Sequence, residues 1–160
     1  MKTLFLALRA LIYVTGFVLL FGWLALAVRP FDQRLEVVLP AWTNALGVVV
    51  MAVGGILVIT CAAIFVLRGR GTPAIFDPPK EFVALGPYKF VRNPMYIGGF
   101  ILLVGFGLYQ NSASILLLSL LLALLIHLFV LAIEEQGLEK RFGRSYLEYK
   151  KSVNRWIPKW

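Results

Sequence analysis

Acidic residues are scarce in this chain, and cysteine and histidine are almost absent. The 160 residues include 8 acidic and 16 basic side chains, one cysteine and one histidine. A lone cysteine, Cys61, excludes an intrachain disulfide and a thiolate cluster for a metal ion. A lone histidine, His127, excludes haem ligation by two histidines. We therefore expect neither a disulfide-stabilised fold nor a metal centre.

Charge is also too sparse for a soluble domain of this length. Charged residues make up 15% of the chain and hydrophobic residues 60%, and the mean hydropathy is +0.83. The charges are bunched between long uncharged runs, which is typical of membrane spans. A net charge of +8 would suggest nucleic-acid binding in a soluble protein. Basic residues that flank spans explain the same charge as a topology signal, so we expect no nucleic-acid partner.

The uncharged runs predict an all-α membrane protein with four transmembrane helices in a single domain, residues 1–160. The expected spans cover residues 4–28, 42–67, 94–109 and 114–133. The third is short, because about 16 residues at 1.5 Å each rise only ~24 Å against a hydrocarbon core of ~30 Å. An A-x-A pattern at residues 25–27 resembles a signal cleavage site, but the run before it is long enough to span. We therefore expect an uncleaved first helix.

The fourth span continues without a break signal into a polar stretch, which predicts one helix that leaves the membrane and ends at Gly143. Ser145 and Glu148 then have the spacing of a capping box. These signals predict a short amphipathic C-terminal helix that ends before Asn154.

Three glycines in the second span have two interpretations. Gly47, Gly54 and Gly55 could let another helix approach closely. Glycine is also common in membrane spans without such a role. The sequence alone does not separate these alternatives.

The polar segment of residues 68–93 is too long and too rich in glycine and proline for an ordinary helix connection. Its interleaved aromatic residues argue against disorder, so we expect a functional segment. Basic residues concentrate at the N-terminus, in this segment and in the tail, whereas only Arg29 and Arg34 lie at the other side. The positive-inside rule then predicts that both termini and the central segment are cytoplasmic. The expected location is the bacterial inner membrane.

Polar side chains at the ends of the last two spans are the candidates for chemistry. An antiparallel hairpin would bring Arg92 close to Glu134 and Glu135, either as a structural ion pair or as a functional group at the membrane boundary. The start of the third span offers free amides and a positive dipole end for a carboxylate. Tyr88 and Tyr96 could face a purine or a sulfonium, or could anchor the chain at the interface.

His127 stands alone inside the fourth span. It could relay protons or make a hydrogen-bonded contact between helices. We favour the hydrogen-bonded contact between helices.

Two sequence motifs flank the predicted hairpin of the third and fourth spans. The first consists of Gly86-Pro87-Tyr88 and Arg92-Asn93-Pro94-Met95-Tyr96-Ile97-Gly98. The second consists of Glu134-Glu135, Leu138, Phe142-Gly143, Tyr146, Tyr149, Val153, Arg155 and Pro158. They resemble the R-H-P-x-Y-x-G and E-E-x-x-L-x-x-x-F-G-x-x-Y-x-x-Y signatures of the isoprenylcysteine carboxyl methyltransferase and phospholipid methyltransferase family of membrane enzymes. The resemblance covers about half of the chain, residues 72–158.

The resemblance implies a cytosolic pocket for S-adenosyl-L-methionine and methyl transfer to a lipid-like or small hydrophobic acceptor from the bilayer. Carried over by position, the cofactor-binding residues are Lys80, Glu81, Phe82, Val83, Tyr88, Asn93, Pro94, Met95, Tyr96 and Glu134. Glu134 would hold a polar part of the cofactor such as the ribose or the amine. Arg92 and Glu135 are the expected catalytic residues, with Glu135 as the base if the acceptor is an amine.

Two positions depart from the family pattern. Asn93 stands where the family usually has histidine, and it can hydrogen-bond but cannot titrate. Val130 stands where isoprenylcysteine enzymes have an arginine that contacts substrate, so a prenylcysteine carboxylate loses its expected partner. Two other functions stay open: a membrane reductase that uses NADPH on a sterol-like or quinone-like substrate, and a non-catalytic four-helix membrane protein.

Overall fold

The computed structural model describes residues 2–72 and 80–159, and every regular element in those ranges is helical. The helices are α1 (Lys2–Val28), α2 (Asp32–Leu35), α3 (Thr43–Leu67), α4 (Pro94–Tyr109), α5 (Ala113–Phe129), α6 (Glu135–Phe142) and α7 (Arg144–Ser152). A π-helical segment, Val130–Glu134, joins α5 to α6. Residues 73–79 of the central segment, with the prolines predicted to interrupt it, lie outside the described residues.

Within the described residues, three stretches of helix are long and apolar enough to cross a membrane: Thr3–Leu35, Thr43–Leu67 and Ala113–Phe142. Helix α4 has the predicted bounds and is apolar but shorter, with 16 residues. Pro94 begins it without loss of a helical hydrogen bond, because the first amides of a helix have no acceptor. The prediction of an all-α membrane protein is confirmed, and the crossing of the bilayer by α4 stays a prediction.

Helices α3 and α4 pack backbone against backbone at two glycines of α3. A Cβ atom built on Gly54 would lie 2.6 Å from the amide nitrogen of Leu102 and 2.7 Å from the carbonyl oxygen of Gly98. A Cβ atom on Gly47 would lie 2.6 Å from the carbonyl oxygen of Gly105. Gly55 has open space around it instead. The close-approach interpretation therefore holds for Gly47 and Gly54, but not for Gly55.

Gly54→Ala is expected to destabilise the protein by about 1–3 kcal/mol, because the new methyl group must push apart two helices whose backbones touch. Gly55→Ala is the matched control at the next residue. It should be neutral or stabilise by up to about 1 kcal/mol through helix propensity. Thermal unfolding of both variants in detergent measures the difference, and equal melting temperatures would show that α3 and α4 are not in backbone contact.

The turn between α4 and α5 is fixed by polar contacts at one end of the bundle. Asn111 has a φ of 49°, and the Ser112 hydroxyl caps α5 by accepting from the amide of Ile115. The carboxylate of Asp32 accepts a hydrogen bond of 2.8 Å from the amide of Ser114. These contacts hold the end of the hairpin opposite Pro94, so the candidate site lies at the other end of the bundle.

The C-terminal helices differ from the prediction in two places. The helix after the fourth span does end at Phe142, and Gly143 follows with a φ of 53°. However, α7 begins at Arg144 with Gly143 as its first cap, so the predicted capping box at Ser145 is wrong. The reason is that Gly143 both ends α6 and starts α7, which places Ser145 inside the first turn. The sequence also gave no sign of the π-helical segment, a feature that is frequent at functional sites.

Candidate functional site

The C-terminal tail returns to the start of α4 and pairs with it through the backbone. We call residues 153–159 the tail strap. The amide of Arg92 donates to the carbonyl of Asn154 at 2.8 Å, and the amide of Asn93 donates to the carbonyl of Arg155 at 3.3 Å. Val91 and Asn154 form a parallel bridge. The strap therefore brings the residues before α4 next to the residues after α5.

Glu135 lies at the centre of this junction, surrounded by three cations. Its Oε1 lies 2.8 Å from Nη1 of Arg92 and 2.7 Å from Nε of Arg155. Its Oε2 accepts from Nη2 of Arg155 at 3.0 Å and lies 3.3 Å from Nζ of Lys150. The side chains of Glu135 and Arg92 are only 5% and 9% exposed. Hydrogen bonding to Glu135 raises the pKa of Arg155, which stays charged.

Glu134 points to a different partner although it is the next residue. The hydroxyl of Tyr96 donates to Oε2 of Glu134 at 2.8 Å. Both side chains are partly buried. The hairpin thus joins the two motifs twice, by Arg92 with Glu135 and by Tyr96 with Glu134.

Hydrogen-bond donors without a partner in the described part of the chain lie at the start of α4. Nδ2 of Asn93 and Nε of Arg92 are buried and lack an acceptor among residues 2–72 and 80–159. The first amides of α4, at Met95 and Tyr96, have no acceptor inside the helix. Buried donors of this kind are usually satisfied, so the group suits an anionic or carbonyl ligand.

A wall of aromatic and apolar side chains supports the start of α4 from the side of the central segment. Tyr88 is 6% exposed and packs with Val83 and Cys61, and its ring centroid lies 5.1 Å from that of Phe65. Burial raises the pKa of the Tyr149 hydroxyl, which therefore stays protonated and donates to the carbonyl of Tyr88. The Tyr88 ring is thus enclosed by protein, and the carbonyl of Tyr88 is the group that contacts α7.

The other cofactor-binding residues predicted in the central segment are either exposed or packed against α6 and α7. The ring of Phe82 lies 5.1 Å from that of Tyr149 and 5.5 Å from that of Phe142, between centroids. The side chains of Lys80 and Glu81 are exposed, and their amides donate to the carbonyl of Gly69. Met95 packs on the cluster around Tyr88, and Pro94 is fully buried at the first turn of α4. Met95 and Pro94 thus lie at the start of α4, whereas Phe82 lies against α6 and α7, and Lys80 and Glu81 lie near the end of α3.

An open groove of about 390 Å³ lies between α4 and α5 on the membrane side of the junction. It is lined by Ile97, Phe100, Ile101, Ala123, His127 and Trp156. The indole nitrogen of Trp156 donates to Nδ1 of His127 at 2.9 Å. The expected hydrogen bond of His127 is confirmed, but its partner belongs to the tail strap and not to another membrane helix.

Three functional candidates received no role from the sequence: Lys150, Arg155 and Trp156. Arg155 was part of the C-terminal signature, and that signature was the one signal for it. Lys150 lies on α7 and meets Glu135 at the start of α6, whereas Trp156 reaches Tyr96 because the strap folds back to the start of α4. No local sequence pattern predicts these contacts.

A comparison with known protein families tests the resemblance seen in the two motifs. The sequence pattern of the phospholipid methyltransferase family matches residues 42–145, about two thirds of the chain. The chain belongs to the phospholipid methyltransferase family. The resemblance seen in the two motifs is therefore confirmed at the level of the family. A comparison with curated proteins finds no match.

A solved structure has the same fold. The eukaryotic intramembrane Ras methyltransferase ICMT, an isoprenylcysteine carboxyl methyltransferase, superposes with a TM-score of 0.65 at 20% sequence identity. The superposition covers 89% of this chain and 52% of that protein. The chain thus spans about half the length of this structural neighbour, and the similarity establishes the membrane fold.

Proposed function

We propose that this chain transfers a methyl group from S-adenosylmethionine to a lipid-like acceptor, with residues 72–158 as its catalytic half. The observation that carries the proposal is the junction of the two motifs, where Tyr96 meets Glu134 at 2.8 Å and Arg92 meets Glu135 at 2.8 Å. Family membership supports methyl transfer. The donors and carboxylate at this junction support the choice of cofactor.

The residues at the start of α4 suit the polar groups of S-adenosylmethionine. Its carboxylate needs hydrogen-bond donors, and unpartnered donors are present on Asn93, on Arg92 and on the first amides of α4. Its ammonium and ribose hydroxyls need an acceptor, and Glu134 has a carboxylate with one oxygen bound to Tyr96. We assign cofactor binding to Asn93, Pro94, Met95, Tyr96 and Glu134.

The rest of the proposed pocket is the wall from the central segment. It comprises Lys80, Glu81, Phe82, Val83 and Tyr88. Phe82 packs on Tyr149 of α7, and Val83 and Tyr88 are buried. These contacts support a pocket wall that excludes water.

When bound, S-adenosylmethionine supplies an electrophilic methyl group on a sulfonium sulfur. The residues of this chain would bind it, orient the acceptor and exclude water. Both oxygens of Glu135 contact cations, and a carboxylate held in this way takes up a proton poorly. We therefore propose that Glu135 and Arg92 position the start of α4. The acceptor would then react as an anion or as a neutral lone-pair donor.

The groove between α4 and α5 supports a membrane acceptor. Its lining is mostly apolar, and its volume lies within the usual range for small-molecule sites. The ring of Trp156 connects it to the junction, 6.5 Å from the ring of Tyr96. We propose that the apolar body of the acceptor lies in this groove.

We also propose that the junction faces the cytoplasm of a bacterial cell, where soluble cofactor is present. The basic residues of the tail and the central segment support this orientation. A cysteine placed at Gly71 or Gly143 should react with an impermeant thiol reagent only from the cytoplasmic side, and one at Gln33 only from the other side. Labelling of Gly71 and Gln33 positions from one side would contradict the orientation.

Calorimetry tests the cofactor directly. Purified protein in detergent should bind S-adenosylmethionine and its demethylated product with a dissociation constant on the order of micromolar, or about −8 kcal/mol. NADPH is the control and should give no saturable heat. Saturable binding of NADPH, without binding of S-adenosylmethionine or its demethylated product, would favour the membrane reductase.

A further inference from the structure

The hydrogen bond from Trp156 fixes the protonation pattern of His127. An indole nitrogen can only donate, so Nδ1 of His127, at 2.9 Å, must be the unprotonated acceptor. A neutral imidazole with an unprotonated Nδ1 carries its proton on Nε2. The ring therefore offers a single N–H donor and has no free acceptor.

His127 lines the groove between α4 and α5. The other lining residues are Ile97, Phe100, Ile101, Ala123 and Trp156. Four of these have hydrocarbon side chains, and the indole N–H of Trp156 is already bonded to His127. The Nε2–H of His127 is thus the polar group that the lining offers to an occupant. In a bilayer an unmatched donor is costly, so an occupant with an oxygen at that point is favoured.

Trp156 links the groove to the proposed cofactor site. His127 precedes Glu134 by seven residues, about 10 Å of helical rise. Trp156 contacts both regions, with its ring 6.1 Å from that of His127 and 6.5 Å from that of Tyr96. An occupant of the groove would therefore lie next to the junction.

We propose that His127 donates a hydrogen bond from Nε2 to an oxygen of the acceptor lipid. Trp156 is the positioning residue that fixes the ring in the state that can donate. The occupant is a lipid with an ester, carboxyl or phosphoryl oxygen next to its apolar body, and His127 selects for that oxygen without acting as a base. This inference rests on the proposed function, because it names the substrate class of the same site.

Nitrogen NMR tests the ring state without any substitution. The chain has one histidine, so protein labelled with ¹⁵N-histidine gives the ring signals of His127 alone. At mildly alkaline pH, Nδ1 should be unprotonated and Nε2 protonated, and Trp156→Phe should make the two tautomers mix. A ring protonated at Nδ1 in the unaltered protein would overturn the proposal.

Fluorescence quenching tests the oxygen. Trp23→Phe, Trp42→Phe and Trp160→Phe together leave Trp156 as the fluorophore. The probes are a brominated long-chain methyl ester and a brominated alkane of equal length, both neutral and both dissolved in the detergent micelle. The ester should quench Trp156 with an affinity about 3- to 10-fold higher than that of the alkane, the gain expected from one hydrogen bond.

Two variants of His127 complete the test. His127→Gln should keep the preference for the ester, because its amide can accept from Trp156 and donate to the oxygen. His127→Leu should bind ester and alkane equally. A preference that persists in His127→Leu, or that is missing when His127 is retained in the single-tryptophan protein, would overturn the proposal. None of these measurements uses S-adenosylmethionine, so their failure is distinguishable from failure of the methyl-transfer proposal.

Discussion

Glu135→Gln should destabilise the protein by about 3–5 kcal/mol, which corresponds to a fall in melting temperature on the order of 10 °C. The substitution keeps the size of the side chain and removes its charge. The side chain of Arg92 is only 9% exposed and lies 2.8 Å from Glu135, so it would lose its counter-charge in a buried position. Thermal unfolding in detergent measures this effect.

The control for this prediction is Glu139→Gln. Glu139 shares the cation Lys150 with Glu135, but its side chain is 33% exposed. Its ion pair should contribute only about 0–1 kcal/mol, because solvent screens it. The double variant Glu135→Gln with Arg92→Gln should recover part of the lost stability, because both buried charges are then removed. Equal melting temperatures for Glu135→Gln and Glu139→Gln would contradict the buried cluster.

The membrane helices could be predicted because their signals are local. Helix α4 covers the predicted residues 94–109, since Pro94 starts it and the turn around Asn111 ends it. The end of α6 at Phe142 was predicted from Gly143 in the same way. Apolar runs and helix-ending residues need no knowledge of the tertiary structure.

The partner that each of the two glutamates contacts could not be predicted from the sequence. Adjacent residues on a helix point about 100° apart, so only one of the pair can face Arg92. The π-helical segment before them changes the angle at which they leave α5, and nothing in the sequence marks it. In the structure, Glu135 contacts Arg92 and Glu134 accepts a hydrogen bond from Tyr96.

The tail strap depends on contacts between distant parts of the sequence. The carbonyl groups of Asn154 and Arg155 accept from the amides of Arg92 and Asn93, more than 60 residues earlier. Any residue type can make a backbone contact of this kind. The sequence therefore could not predict the strap that pairs with the residues before α4.

The second large effect is expected for cofactor binding. Glu134→Gln should weaken the binding of S-adenosylmethionine roughly 10- to 150-fold, because a charged hydrogen bond to a ligand contributes about 1.5–3 kcal/mol. The amide oxygen of glutamine can still accept from the hydroxyl of Tyr96, so the contact at 2.8 Å can survive. The melting temperature without ligand should therefore change little.

Tyr96→Phe and Glu148→Gln separate the effect of the Glu134 carboxylate on cofactor binding from the effect of its hydrogen bond with Tyr96. Tyr96→Phe removes the hydrogen bond to Glu134 but keeps the carboxylate, so it should reduce affinity by about tenfold or less, the value of one neutral donor. Glu148→Gln is the matched control, because Glu148 is an exposed glutamate on α7 and should affect neither affinity nor stability. Calorimetry gives the affinity and thermal unfolding the stability of each variant. If Glu134→Gln lowers the melting temperature while binding the cofactor as tightly as the unaltered protein, then Glu134 is a structural partner of Tyr96, and the cofactor must be held by the start of α4 alone.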